Sequence, residues 1–262
     1  MYDVMKYFVV DAFTDTIFKG NQAGVCLLER PLNDVLMQNI AAENNLAETA
    51  FILPVDGGYD LRWFTPEVEI DLCGHATLAG AYIIRRFVDN SADHIDFFTK
   101  SGTLTVDYHN GLYEMDFPSR PPKQIEQLPE FAEAIGCDIL DAHLSRDLLL
   151  LVKDETTLKS VTPNLDIMRK FRDGFGVIVT TKGDDVDFVS RFFAPGAGIP
   201  EDPVTGSSHC TLIPFWARRL NKQEMIAKQL SRRGGTLYCK NCGERVKIAG
   251  NAALYLTGTI QG

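Results

Sequence analysis

The strongest constraint in this 262-residue chain is that it says the same thing twice. Arg62-Trp63-Phe64-Thr65-Pro66 leads to Asp71-Leu72-Cys73-Gly74-His75-Ala76-Thr77-Leu78. Arg191-Phe192-Phe193-Ala194-Pro195 leads to Asp202-Pro203-Val204-Thr205-Gly206-Ser207-Ser208-His209. The arginines lie 129 residues apart and the glycines of the two turns, Gly74 and Gly206, lie 132 apart. A third pair, Ser101-Gly102-Thr103-Leu104 and Arg233-Gly234-Gly235-Thr236-Leu237, keeps the order at nearly the same offset. Solenoid repeats are far shorter, so an offset near half the chain points to a duplication into two similar halves.

Hydrophobic periodicity fills in both halves. Residues 21–29 read as a strand and Pro31 to Asn44 as a helix with Leu32, Val35, Leu36 and Ile40 on one face. Ala47 to Val55 reads as a strand. In the second half the matching pieces are a strand at Asp147–Val152, a helix at Pro163–Arg172 and a strand at Gly176–Thr181. Each half then runs through its arginine-aromatic strand to a glycine turn and a second helix. Ala76 to Phe87 is apolar nearly all round, and a helix without a polar face belongs inside other structure. Its partner, Ser207 to Ala217, is also largely apolar, with Pro214 expected to kink or shorten it. Strands are expected to wrap around this helix in each half. The prolines of Phe117-Pro118-Ser119-Arg120-Pro121-Pro122 place the boundary there, giving domains 1–118 and 119–262, with a last strand that could return to the first.

Composition narrows the partners. With 45% apolar residues the chain can build a core. A net charge of −9 without a basic run argues against nucleic acid. No stretch approaches a membrane span, and Met1 to Val10 reads as a strand rather than a signal peptide. The six scattered cysteines fit reduced thiols in a cytoplasmic protein. Cys239 and Cys242 form a C-x-x-C pair, but zinc usually takes four ligands and no second pair exists, so no metal is expected.

Both glycine turns open helices, and a helix start offers unpaired N–H groups and the positive end of the dipole. Gly74 and Gly206 let a carboxylate approach the backbone. The alternative is an ordinary strand-to-helix turn with Ser207 as cap. Glu48 begins an apolar strand, where a raised pKa would suit a general base, although a solvated residue at a strand start is the plainer reading. The second half opens its strand Phe175-Gly176-Val177, without a carboxylate, so the duplication has become asymmetric, as one active site between two copies would require. His75 sits where the dipole disfavours its charged form, making a neutral imidazole the expectation. Asp202 precedes the second turn and is either part of the site, the partner of an arginine or the cap of a turn. His94, His109, His143 and His209 lie in unlike contexts and carry no assigned chemistry.

Several runs together resemble the phenazine-biosynthesis-like (PhzF-like) family. They are Asp11-Ala12-Phe13-Thr14, Phe18-Lys19-Gly20-Asn21, Asn45-Leu46-Ala47-Glu48-Thr49-Ala50-Phe51, Arg62-Trp63-Phe64-Thr65-Pro66, Leu72-Cys73-Gly74-His75-Ala76-Thr77, Met115-Asp116-Phe117-Pro118 and Glu201-Asp202-Pro203-Val204-Thr205-Gly206-Ser207. The resemblance implies the α+β fold of diaminopimelate epimerase: two pseudo-symmetric domains, each a barrel-like mixed sheet around a central helix. It also implies no cofactor and a homodimer. It implies isomerisation of a small carboxylic acid by moving a proton between carbons; the family's founding substrate is a dihydro-hydroxyanthranilate. It places the catalytic glutamate on Glu48 and its supports on His75, Asp202 and Ser207, with Cys73, Gly74, Thr205 and Gly206 around the substrate. Diaminopimelate epimerase uses two thiols. Here Cys73 stands at the first position and Thr205 at the second, and a hydroxyl is too weak an acid or base for that exchange. The alternatives are an epimerase or racemase using Cys73 with a carboxylate, and a non-catalytic protein that binds small acids.

Overall fold

The computed structural model describes residues 4–261; the expected strand at Met1–Val10 therefore loses its first three residues from description. The chain divides into two compact units, 1–116 with 249–262, and 117–248.

In the first unit β1 (Val4–Ala12) and β2 (Asn21–Leu27) form an antiparallel pair. Helix α1 (Asp34–Asn44) crosses over to β3 (Glu48–Val55), which runs parallel to β2 with Ala23 opposite Glu48. Next come β4 (Gly58–Phe64), the short β5 (Glu69–Ile70), α2 (Gly74–Phe87), β6 (His94–Thr99), β7 (Gly102–His109) and β8 (Leu112–Pro118). β4 is antiparallel to β3 and parallel to β6.

The second unit repeats the plan. It holds β9 (Lys123–Gln124), α3 (Pro129–Ile135), β10 (Asp141–Leu144), β11 (Leu148–Leu151), α4 (Glu155–Ser160), α5 (Leu165–Met168), β12 (Val177–Lys182), β13 (Phe188–Phe193), α6 (Gly206–Leu220), β14 (Glu224–Gln229), β15 (Gly235–Asn241) and β16 (Arg245–Gly250). β11 runs parallel to β12, β12 antiparallel to β13, and β13 parallel to β14. The last strand, β17 (Ala252–Gln261), belongs to the first unit, antiparallel to β1.

Helix α2 buries His75 through Ala81 with Ile83 and Ile84, and touches β1, β2, β3, β7 and β17. The sheet of the first unit thus lies around this helix, as an apolar surface on all sides demands. Small residues permit the approach: a Cβ on Gly80 would stand 2.8 Å from Ile52 Cδ1. A second apolar cluster, including Met37, Ile40, Ala41, Phe51 and Phe64, packs α1 on the sheet's other side. In the second unit Phe131, Ala134, Leu158 and Met168 from α3, α4 and α5 cover strands β11 and β12 in the same way.

Four sequence expectations change. Helix α1 starts at Asp34 because the Asn33 side chain accepts the Leu36 N–H; Val35 is exposed, and Met37, Ile40 and Ala41 form the buried face instead. The helix expected over Pro163–Arg172 is a single turn, α5, capped by Asn164, and α4 stands before it. Strand β11 is shorter at both ends than Asp147–Val152. Helix α6 runs unbroken through Pro214 to Leu220. A proline cannot supply the N–H owed to the carbonyl four residues back. Here that carbonyl, of Cys210, accepts the Arg120 N–H at 2.9 Å instead.

Candidate active site

The echoed arginines turn out to be braces. Arg62 grips Glu69 with two hydrogen bonds of 2.8 Å and reaches Asp34 with a third of 2.8 Å. The Glu69 carboxyl falls to a pKa of about 2, chiefly through its Arg62 hydrogen bonds. Arg191 grips Glu201 at 2.7 and 3.1 Å and donates to the Val161 carbonyl at 2.7 Å. Each brace fixes the loop that leads to its glycine turn. Asp202 is therefore not the partner of Arg191; Glu201, one residue earlier, is.

In the first unit the structure brings Glu48, Cys73, Gly74 and His75 together. Glu48 opens β3, Cys73 is the N-cap of α2, and His75 lies in its first turn. His75 Nε2 stands 3.0 Å from Glu48 Oε2, and both side chains are largely buried, at 9% and 14% exposed. The two atoms are close without being aligned as a hydrogen bond, so each is left without a hydrogen-bond partner. On the other edge of the ring, Nδ1 lies 3.5 Å from Cys73 Sγ and 3.4 Å from Asn21 Nδ2. Asn21 is the first residue of β2, and the sequence marks it only as the end of the Phe18-Lys19-Gly20-Asn21 run. Its role is visible once β2 is paired beside β3.

Electrostatics at His75 differ from the sequence expectation of a neutral ring. Burial pulls its pKa down, but Cys73 and Glu48 outweigh burial and the net direction is well upward. Burial also raises the Cys73 thiol, with the Glu48 carboxylate adding to it. A thiol raised in this way is held toward its protonated form, and Cys73 and Glu48 act on the imidazole together. The helix dipole opposes that pull, but a carboxylate at 3.0 Å is the nearer influence.

Glu48, Cys73 and His75 could each offer a metal one ligand atom, all within 4.8 Å of one another. The ring, however, turns Nε2 to Glu48 and Nδ1 to Cys73, and one ion takes only one of the two nitrogens. The arrangement is a line of proton-bearing groups rather than a cage. At the C-x-x-C pair, Cys239 is buried on β15 and Cys242 is exposed, so their side chains do not face one place; all six cysteines are free thiols.

In the second unit the structure gathers Asp202, Thr205, Gly206 and Ser207 at the start of α6. Thr205 is the N-cap, yet its hydroxyl makes no capping bond and donates to Asp202 Oδ2. Ser208, not Ser207, bonds back to the Thr205 carbonyl, at 2.9 Å. Ser207 is half-buried, with no hydrogen bond of its side chain among the described residues, so it is not the cap. Cys73 likewise makes no capping bond. Gln229, at the end of β14 and fully buried, bonds both the backbone and the hydroxyl of Thr205; nothing in the sequence singled it out.

Comparison with known proteins places the chain in a family. Residues 10–258 match the family model described as phenazine biosynthesis-like protein. The chain belongs to the phenazine biosynthesis-like family. A Pseudomonas aeruginosa protein named an uncharacterized isomerase is 45% identical over 98% of each chain. A Halalkalibacterium halodurans protein with the same description is 46% identical, over 95% of this chain and 96% of that one. The crystal structure of a PhzF family protein from Enterococcus faecalis, 47% identical, superposes with a TM-score of 0.97 over 98% of this chain and 99% of its own. A hydroxyproline epimerase from Agrobacterium vitis, at 10% identity and TM-score 0.61, covering 98% of this chain and 92% of its own, shares the fold. The fold is thus the α+β, epimerase-like architecture that the family resemblance implied, and the repeat marks its two similar halves.

Proposed function

We propose that this protein is a cofactor-independent isomerase that moves a proton between carbons of a small unsaturated carboxylic acid. One observation carries the reading: a largely buried carboxylate, Glu48, whose Oε2 has no hydrogen-bond partner and faces a histidine at a helix start. The relatives named isomerases support the reaction class.

The chemistry follows from the atoms. Glu48 as carboxylate takes a proton from an activated carbon, and the C–H electron pair passes into a dienolate. The Glu48 acid then returns that proton to a different carbon of the same system, so nothing is oxidised and no leaving group departs. His75, whose pKa Cys73 and Glu48 raise together, places positive charge beside the developing oxyanion, and the start of α2 adds the N–H groups of Gly74 and His75. Asp202, Gly206 and Ser207 keep the roles that family resemblance implies, tested by Asp202→Asn and Ser207→Ala. The two-thiol reading is disfavoured: Cys73 is held as a thiol, and Thr205 has its proton on Asp202.

The test is proton exchange in heavy water. A panel of unsaturated and amino carboxylic acids, beginning with dihydro-hydroxyanthranilate, is followed by NMR for loss of carbon-bound proton signals. Exchange that disappears in Glu48→Gln supports the assignment; exchange that survives refutes it. Exchange at a stereocentre lost in Cys73→Ser would identify an epimerase. Binding without exchange would identify a carboxylate-binding protein.

A further inference from the structure

Thr205 occupies the position of the second thiol in a two-thiol racemase, and so looks like a residue that has lost its task. Its surroundings give it another. The hydroxyl donates to Asp202 Oδ2 and accepts the Gln229 Nε2–H at 3.1 Å. Gln229 Nε2 also donates to the Asp202 carbonyl at 2.7 Å, and Gln229 Oε1 accepts the Thr205 N–H at 2.9 Å. Gln229 and Thr205 are buried, and every one of these groups belongs to the second unit.

The directions of these bonds matter. An amide NH₂ can only donate, so Gln229 takes a lone pair of the Thr205 oxygen. The threonine has one proton, and it points to Asp202. A hydroxyl polarised by an incoming hydrogen bond is a better donor outward. The carboxylate it meets gains a charge-assisted bond from a fixed direction. A side chain from β14, more than twenty residues downstream, thereby sets both the backbone of the turn and the bearing of one carboxylate on it.

We propose that Thr205 and Gln229 are positioning residues that hold the Asp202 carboxylate in its working orientation, a relay Gln229→Thr205→Asp202 in place of a second catalytic thiol. The proposal rests on Asp202 serving the isomerisation. Neither residue exchanges a proton with substrate. The methyl of Thr205 is dispensable and its hydroxyl is not, so serine can replace it and valine cannot.

Two measurements test this on the intact protein. Without any ligand, the NMR signal of the Asp202 carboxyl carbon is compared in wild type, Thr205→Val, Thr205→Ser and Gln229→Leu. It should move in Thr205→Val and in Gln229→Leu, and return in Thr205→Ser. A signal indifferent to Thr205→Val overturns the relay, and valine and threonine are close enough in shape for the variant to fold. In the exchange assay, with dihydro-hydroxyanthranilate as the first probe, Thr205→Val should lower kcat at least tenfold with KM little changed. In an Asp202→Asn background the same change should cost nothing further, because residues acting as a unit are non-additive. Additive losses overturn the proposal. If Asp202→Asn retains wild-type exchange while Glu48→Gln does not, Asp202 has no part in the reaction and the proposal falls with it. Loss in Asp202→Asn without loss in Thr205→Val leaves the isomerase reading intact and removes only the relay.

Discussion

The starts of α2 and α6 are two copies of one design carrying opposite chemistry. Each follows a braced loop, each has an N-cap side chain that makes no capping bond, and each has a histidine within its first turns. At α2 the histidine is His75, pushed up by its contact with Glu48 and Cys73 against the pull of burial. At α6 it is His209, which burial lowers to a pKa of about 4, with the Thr205 carbonyl 2.8 Å and Ser208 Oγ 3.4 Å from Nδ1 and no carboxylate beside it among the described residues. The two histidines stand at different places in the repeat, His75 answering to Ser207 and His209 to Thr77, and the strand position facing them differs as well. In the first unit Thr49 pairs with Phe64 and Glu48 precedes it; in the second Val177 pairs with Phe193 and Gly176 precedes it. A Cβ at Gly176 would lie 2.4 Å from the Phe192 ring. The duplicated scaffold therefore has room for the carboxylate in one copy and an aromatic ring in its place in the other. A duplicated fold can thus place a buried carboxylate beside a histidine in one half and leave the matching position without one in the other.

The largest effect expected from breaking this comparison is at Glu48. Glu48→Gln keeps the shape and removes the base, so carbon-proton exchange should fall by roughly 10²–10⁴, read by NMR in heavy water. In the same variant the His75 ring should lose its upward pull, visible in its nitrogen shifts as pH is varied.

Next comes acid stability. His209 binds its proton at about 4 when folded and near 6.5 in the unfolded chain. Its contribution is intact above about 6.5 and is lost progressively as pH falls toward 4, by on the order of 3 kcal/mol. His75 has the reverse sign: its stabilisation is full below about 6.5 and is lost as pH rises through its raised folded value. Thermal denaturation across pH should show His209→Gln flattening the acid limb and His75→Gln flattening the alkaline one. A wild-type acid limb unchanged in His209→Gln would contradict the contrast.

Gly176→Ala should destabilise by about 1–3 kcal/mol, because the Phe192 ring and the Phe193 carbonyl leave no space for a methyl. Urea unfolding measures it, and a neutral result would mean the ring yields and the two copies differ less than their register implies. The smallest effect belongs to Pro214→Ala. The Cys210 carbonyl already has its hydrogen bond from Arg120, so the change should stay within about 1 kcal/mol of wild type.

What the sequence determined by itself was whatever repeats locally. The duplication, the two buried helices and the glycine turns all follow from periodicity and spacing. So does the missing carboxylate at Gly176, because each depends on residues adjacent in the chain. The family motifs marked Glu48, Cys73 and His75, but not their arrangement. Only tertiary structure decided that Glu48 meets His75 Nε2 while Asn21 joins Cys73 at Nδ1, since the contacts of Glu48 and Asn21 cross 27 and 54 positions. It also decided that the echoed arginines brace glutamates and that Gln229 holds the second turn. The reason is physical. Local pattern reports which face of an element is apolar, whereas a hydrogen-bond partner or a shifted pKa depends on what packing brings near from elsewhere. The reversal at His75 shows this most plainly: chain position alone pointed to a neutral ring, and Cys73 together with the Glu48 carboxylate 3.0 Å away set the opposite direction.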